Sequence, residues 1–414
     1  MRFAIVALFA SAGFGQSIDR MLHFTYAETD QELQEIATDI RGITEIPLVS
    51  VDSAQRTLTL HGAAAQIAVA EWLLNQWDHS APPQLPEDPA AHQYRLSSDD
   101  IVRVFRLAHT PSRRSLQEVA TDVRTIADIR RLFTYSASSV ITLRGDAAQI
   151  ALAEWLVNQL DQPASQADRG TASPEYHPSG TVDDVVRVFY IGHRAPLQVL
   201  QEIATDVRTI GDIRRLFTYS ESTALIVRGT AAEIALAEWL VNQLDQPANQ
   251  AARATASPEY RPSGTIDDVV RVFYTAHTAT QQGLQEIATD VRSIANIRRL
   301  FTYSQSNALI VRGTEAQVAL AEWMLNELDL PANQPPRTPA PHEYRPSGTV
   351  DDVVRVFFVA HAGSPQRLQQ IATEVRSTTE VKQIFTYTAP RAMTVRGTAA
   401  QIAMADKMIA ERDQ

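Results

Sequence analysis

The chain has 414 residues, 44% hydrophobic and 21% charged, the make-up of a soluble globular protein long enough for two to four ordinary domains. Its 48 acidic against 37 basic residues give a formal charge of −11, which argues against a nucleic-acid backbone or an anionic membrane surface as ligand, since both are held by a basic face. With no cysteine, disulfides, thiolate catalysis, sulfur-ligated zinc and a lipid anchor on cysteine are excluded.

The chain opens "MRFAIVALFASAGFGQS": one arginine, an apolar run from Phe3 to about Ala12, then small residues at Gly13 and Gly15. This predicts a Sec-type signal peptide over 1–15, cleaved near Gly15 with Ala12 also fitting, and a mature chain that is periplasmic or secreted. The competing reading, a buried first strand, is weaker because the first repeat supplies its own strand at Leu22 to Tyr26. No other stretch approaches the ~18 apolar residues of a membrane span, so no integral membrane segment is expected after cleavage.

Beyond the leader the sequence repeats every 84 residues or so. Trp72, Trp155, Trp239 and Trp323 share one column, completed by Lys407; His109, His193, His277 and His361 share another, with Tyr26 in the first copy. Five modules follow, over 18–79, 95–163, 180–247, 264–331 and 348–414. The linkers, such as "DQPANQAARATASPEYRPSG", are too rich in Pro, Ala, Gln and Ser to form a core. Each keeps a tyrosine: Tyr94, Tyr176, Tyr260 and Tyr344. A duplicated spacer is the favoured reading; docking of the tyrosine on a neighbouring module is the alternative.

In the third module, "VVRVFYI" (Val185 to Ile191) has the β-branched and aromatic content of a strand. In "PLQVLQEIATDVRTI" the residues Leu200, Ile203, Ala204, Val207 and Ile210 recur at helical spacing. "RRLFTY" and "ALIVRG", joined by "SES", predict a hairpin. The last helix opens on Thr230 with Glu233 three positions later, a reciprocal cap repeated by Asp146/Gln149, Thr314/Gln317 and Thr398/Gln401 and lost in the first copy, which has Ala63. Each module therefore reads as β-α-β-β-α, an α+β two-layer unit with a three-stranded sheet and two helices on one face. A module this small is marginal alone. The four tryptophans are expected to seal its core, where truncation to alanine would cost about 3–5 kcal/mol.

A strand like "VVRVFYIGH", a helix, a hairpin ending "ALIVRGT" and a helix like "AAEIALAEWLVNQLD" resemble the short periplasmic N-terminal domains of bacterial secretins, the outer-membrane pores of type II and III secretion and type IV pilus systems. The resemblance extends over every module. It implies domains that are not enzymes, that pack side by side between subunits to build rings, and that contact other secretion components. The sequence stops at "ADKMIAERDQ", so modules without the family's pore-forming β domain are expected. The order of elements also resembles KH-type RNA-binding domains, but their Gly-x-x-Gly loop is replaced by "TIGDIRR", "TIADIRR" or "SIANIRR", and no nucleic-acid partner is expected.

No constellation carries evident chemistry, and neither a cofactor nor a metal is expected. The histidine column lacks companions at ligand spacing and reads as a strand-end residue bonded to its loop. Acid pairs precede the first strand, Asp99–Asp100, Asp183–Asp184, Asp267–Asp268 and Asp351–Asp352; basic pairs open the second, Arg130–Arg131, Arg214–Arg215 and Arg298–Arg299, with Lys382 alone in the fifth copy. Adjacent strand residues point to opposite sides, which makes the aspartates poor catalytic dyads. A solvated face is one reading; the other is that acid and basic pairs of different modules meet, within or between chains, and set register and partner choice. The first copy, with "IPLVSVDSAQRTLTLHG", and the last, with Lys407, are expected to be terminal caps with altered outer faces. The resulting expectation is an exported, non-enzymatic array acting by protein–protein contact, an accessory or scaffold of a secretin-type assembly. The alternative is a self-associating structural or adhesive surface protein.

Overall fold

The computed structural model describes residues 17–413 apart from 28, 79–91, 111, 164–173, 181–182, 193–195, 247–256, 266, 279, 332–342, 350 and 390. The expected signal peptide over 1–15 and His193 lie outside the described residues. The first module runs β1 (Ser17–His23), α1 (Asp30–Thr44), β2 (Leu48–Asp52), β3 (Thr57–Ala63) and α2 (Ala64–Trp77). In the second come β4 (Gln93–Ser97), β5 (Asp100–Arg106), α3 (Arg113–Ile126), β6 (Arg131–Tyr135), β7 (Val140–Gly145) and α4 (Ala147–Leu160). The third holds β8 (Glu175–Tyr176), β9 (Val185–Tyr190), α5 (Leu197–Gly211), β10 (Arg215–Tyr219), β11 (Ala224–Gly229) and α6 (Ala231–Leu244). The fourth holds β12 (Glu259–Tyr260), β13 (Val269–Tyr274), α7 (Gln281–Ile294), β14 (Arg299–Tyr303), β15 (Ala308–Gly313) and α8 (Glu315–Leu328). The fifth holds β16 (Glu343–Tyr344), β17 (Val353–Phe358), α9 (Pro365–Thr379), β18 (Gln383–Tyr387), β19 (Ala392–Gly397) and α10 (Ala399–Arg412).

The α+β module is thus the repeating unit, and two details correct the sequence reading. The first strand begins at Ser17 and ends at His23 instead of covering Leu22 to Tyr26, because β1 pairs with β3 in unbroken antiparallel register from Ser17 opposite Ala63 to His23 opposite Thr57. The sheet is three-stranded only in the first module, in the order β1-β3-β2. In the second, fourth and fifth a short strand from the preceding linker adds to the edge, giving β4-β5-β7-β6, β12-β13-β15-β14 and β16-β17-β19-β18. The linker tyrosine sits in that added strand, with Tyr94 opposite Val102, Tyr260 opposite Val270 and Tyr344 opposite Val354.

The last helix of each module starts as its sequence dictates. The N–H of Glu233 donates to Thr230 Oγ1 at 3.3 Å, and the N–H of Thr230 to Glu233 Oε2 at 2.7 Å. In the first module Ala63 offers no oxygen, but Gln66 still accepts from its N–H at 3.0 Å, so half the cap survives. The glycine before the cap makes room for this returning side chain: a Cβ on Gly229 would lie 2.6 Å from Glu233 Oε2. Gly229→Ala is expected to push the glutamate off its N–H and lower stability by about 0.5–1 kcal/mol in urea titration, with no loss at neighbouring modules.

The chain divides into two compact units, Met1–Tyr190 with Phe217–Ile226 and Ile191–Leu216 with Val227–Gln414. Within the first unit one apolar cluster joins α1 and α2 to residues of β5–β7, and another joins α3 and α4 to residues of β9–β11. Within the second, α7 and α8 share a cluster with β17–β19, while α9 and α10 form a core with their own sheet alone.

Candidate functional site

The feature that recurs is the junction between consecutive modules, and it begins with a sheet apolar on both faces. In the second module Ile101, Phe105, Ile141 and Leu143 face their own helices, while Val102, Val104, Tyr135 and Val140 belong to the cluster of the first module's helices. Burial on both sides explains the near-continuous apolar runs of strands such as "VVRVF" and "ALIVRG". The last helices likewise bury a further apolar position: Leu152, Leu236 and Leu320 are 2%, 1% and 2% exposed, whereas Met404, their counterpart in the fifth module, is 48% exposed. In the first module the outward sheet face carries Asp19, Met21, Ser50 and His61 at the columns of Val102, Val104, Phe133 and Arg144, and Lys407 in the fifth is exposed.

Three polar columns recur at the junctions, the first at all four and the other two at the first, third and fourth. In the first, a glutamate on the first helix of one module accepts from the hairpin turn of the next. Glu35 takes the N–H and hydroxyl of Ser136, both at 3.1 Å, and Glu118 takes Ser220; Glu202 takes Ser304 at 2.8 and 2.7 Å, and Glu286 takes Thr388 at 2.9 and 3.0 Å. In the second, an arginine of the central strand grips its own module's aspartate with two nitrogens and reaches back with a third. Arg144 holds Asp100 at 2.7 and 2.5 Å and donates to the Ile43 carbonyl at 2.8 Å. Arg312 repeats this with Asp268 and Ile210, and Arg396 with Asp352 and Ile294. The bidentate bond to Arg144 holds the Asp100 carboxyl below the usual carboxylate range. In the third, the edge strand meets the helix end of the preceding module: Arg131 pairs with Glu45, Arg299 with Asp212 at 2.8 Å, and Gln383 donates to Asn296 at 3.1 Å.

The charge pairs noted in the sequence therefore divide by position. Asp99, Asp183, Asp267 and Asp351 are exposed, as are Arg130, Arg214 and Arg298. Asp100, Asp268 and Asp352 are half-buried on an arginine of their own module, and Arg131 and Arg299 on an acid of the preceding one. Acid pairs and basic pairs do not bond each other directly in these contacts. Asp184 and Arg215 are half-buried as well.

The tryptophans expected to seal the core pack against it from the rim. Trp72, Trp155, Trp239 and Trp323 are half-buried and lie against the linker tyrosines Tyr94, Tyr176, Tyr260 and Tyr344, with ring centroids 5.5–5.6 Å apart. Each helix is already filled on its core side by residues such as Leu156 and Leu160, so the indole turns to the edge where the added strand passes. Trp323→Ala is accordingly expected to cost about 1.5–2.5 kcal/mol, less than a sealed core residue, and to free the Glu343–Tyr344 strand in amide hydrogen exchange. The tryptophan that is buried is Trp77, 2% exposed, whose indole N–H donates to Thr142 of the next module at 3.0 Å.

The closing "LD" of each module ties its two ends together. Asp329 accepts from the N–H groups of Ala276, His277 and Thr278 and from the Thr278 hydroxyl at 2.5–3.0 Å. Asp78, Asp161 and Asp413 hold the matching loops. His109, His277 and His361 stand in these loops through their backbone, with Nδ1 3.6–4.0 Å from the same aspartate. Among the described residues no group of three or more His, Asp or Glu could hold a metal ion. No helix among them is long and apolar enough to cross a membrane.

No protein-family model matches the chain, and no characterised protein matches it by sequence. Solved structures similar to it include secretins. The N-terminal domain of the secretin XcpQ from Pseudomonas aeruginosa is 13% identical over 36% of this chain and 63% of that one, with a TM-score of 0.16. Aeromonas hydrophila ExeD is 13% identical over 73% and 60%, TM-score 0.14. The type II secretion system secretin GspD of E. coli K12 is 10% identical over 56% and 39%, TM-score 0.13. The chain spans less than two thirds of the length of each of these, and likenesses at such TM-scores carry nothing about role.

Proposed function

We propose that the chain is an exported, non-enzymatic scaffold acting by protein–protein contact, an accessory of a secretin-type secretion or pilus assembly. The observation that carries this reading is that the recurring polar residues of the helices and central strands are engaged in packing one module on the next, as Glu35, Glu118, Glu202 and Glu286 are. What recurs on the outside is charge: Asp99, Asp183, Asp267 and Asp351, with Arg130, Arg214 and Arg298. Identical weak contacts at successive modules suit a partner that is itself repetitive, where linkage raises avidity far above the affinity of one contact. The secretin-like sequence pattern supports a ring of periplasmic domains as that partner.

The exposure of Met404, at a column buried in the other modules, supports a second reading in which copies of the chain associate through the fifth module's helices. Sedimentation of the purified mature chain, alone and with a periplasmic secretin ring, separates the two. A concentration-independent monomer that cosediments with the ring is the outcome expected of a scaffold; concentration-dependent growth without ring binding would replace it with self-association.

A further inference from the structure

The first helix of each of the first four modules carries a buried carboxyl that the packing described above leaves without a counter-charge. Asp39, Asp122, Asp206 and Asp290 are 5%, 3%, 2% and 2% exposed, and Oδ2 of each has no hydrogen-bond partner. Each stands one turn after the glutamate that grips the next module, Glu35, Glu118, Glu202 or Glu286. It stands one turn before a backbone carbonyl gripped by an arginine of that module, as at Ile43, Ile210 and Ile294. Helical spacing puts all three on one stripe, so the aspartate lies under the neighbouring hairpin. At the first junction that stripe includes Gly42, where a Cβ would lie 2.0 Å from the Phe133 ring. At the last, Asp290 borders a cavity of about 480 Å³ shared with Phe385, Thr386 and Arg376 of the fifth module.

We propose that these junctions are pH-sensitive clamps, in which a protonated aspartate lets one module's first helix seat on the next module's hairpin and its ionisation loosens the contact. The groups facing it argue for the neutral form. On its own helix stands a carboxylate, as Glu286 beside Asp290. At the third and fourth junctions the hairpin brings a buried tyrosine within electrostatic reach, Tyr303 of Asp206 and Tyr387 of Asp290, each held in the neutral form first by burial. The bases nearby have other acceptors: Arg376 and Arg292, which border the cavities beside Asp290 and Asp206, donate to the Ile384 and Leu300 carbonyls, and Arg144 at the first junction holds Asp100. Burial, and secondly the neighbouring glutamate, push each aspartate up to about 8. The fifth module supplies the contrast. Glu374, in the same column but under no described hairpin, is paired with Arg412 at 2.8 Å and held below the usual carboxylate range.

The sign follows from proton binding. The unfolded carboxyls ionise near 3.8 and the folded ones near 8, so between these values the folded state binds more protons and stability falls as pH rises. The test is thermal unfolding of the full mature chain from pH 5 to pH 8, beside a variant carrying Asp39→Asn, Asp122→Asn, Asp206→Asn and Asp290→Asn. The wild type is expected to lose roughly 5–10 °C over this range and the variant less than about 2 °C; parallel profiles would overturn the clamp. Glu374→Gln, as control, should keep the wild-type slope. Should the variant not fold, proton release on urea unfolding of the wild type at pH 6 decides: about four protons per chain are expected, one from each aspartate, and none would overturn the proposal.

Discussion

Val104→Asp is expected to open the junction between the first and second modules, whereas Met21→Asp, at the same place in the first module's sheet, is expected to change little. Val104 is 2% exposed and packs in the cluster built by α1 and α2; Met21 is 55% exposed. A carboxylate at Val104 would lie under two helices, and its desolvation should cost upwards of about 4 kcal/mol. That is a large part of the 5–15 kcal/mol typical of a whole domain. The readout is a new low-temperature transition in calorimetry, with early proteolysis of the first module. At Met21 the cost should stay within about 0.5 kcal/mol. Equal effects at both positions would mean that the sheet's second face is not buried by the preceding module.

Asp329→Ala is expected to be the most damaging single change within a module. It leaves the N–H groups of Ala276, His277 and Thr278 and the Thr278 hydroxyl without their acceptor at a partly buried site. Bonds to a charged acceptor contribute about 1.5–3 kcal/mol each but do not add, so a total loss of roughly 3–5 kcal/mol is expected in urea unfolding. Amide exchange should speed up at 276–278 first. Asp329→Asn, which keeps one acceptor oxygen, should recover part of the loss. An unchanged midpoint for the alanine variant would show that the loop is held by other contacts.

The elements were legible because local signals agree: period 3.6 in "LQEIATDV", β-branched runs in the strands, and a Thr or Asp three residues ahead of Glu or Gln at the last helix. The first strand lies ahead of Leu22 to Tyr26 because "SIDRMLH", with a polar outer face and little β-branched content, is held by pairing with β3, which no local signal reveals. The two-residue strands leave no local pattern inside proline-rich linkers, and the tryptophan–tyrosine contact beside them leaves none either. In "AAEIALAEWLVNQL" nearly every face is apolar, and no stripe tells which side meets the module's own sheet. The junction was hidden for a related reason. Glu and Asp four apart on an amphipathic helix read as a solvated face until the next module is laid over them, and the "VRG" arginine looked like an ordinary strand-end charge. Their recurrence at every copy was the available signal.

Because the linker tyrosines meet the tryptophan of the module before them, and Arg144, Arg312 and Arg396 each reach back to a helix carbonyl, these junctions offer the same plug and the same socket. Interior copies are therefore interchangeable parts. A gene built this way can lengthen or shorten by whole periods through unequal recombination, and each new neighbour pair finds its fit already made.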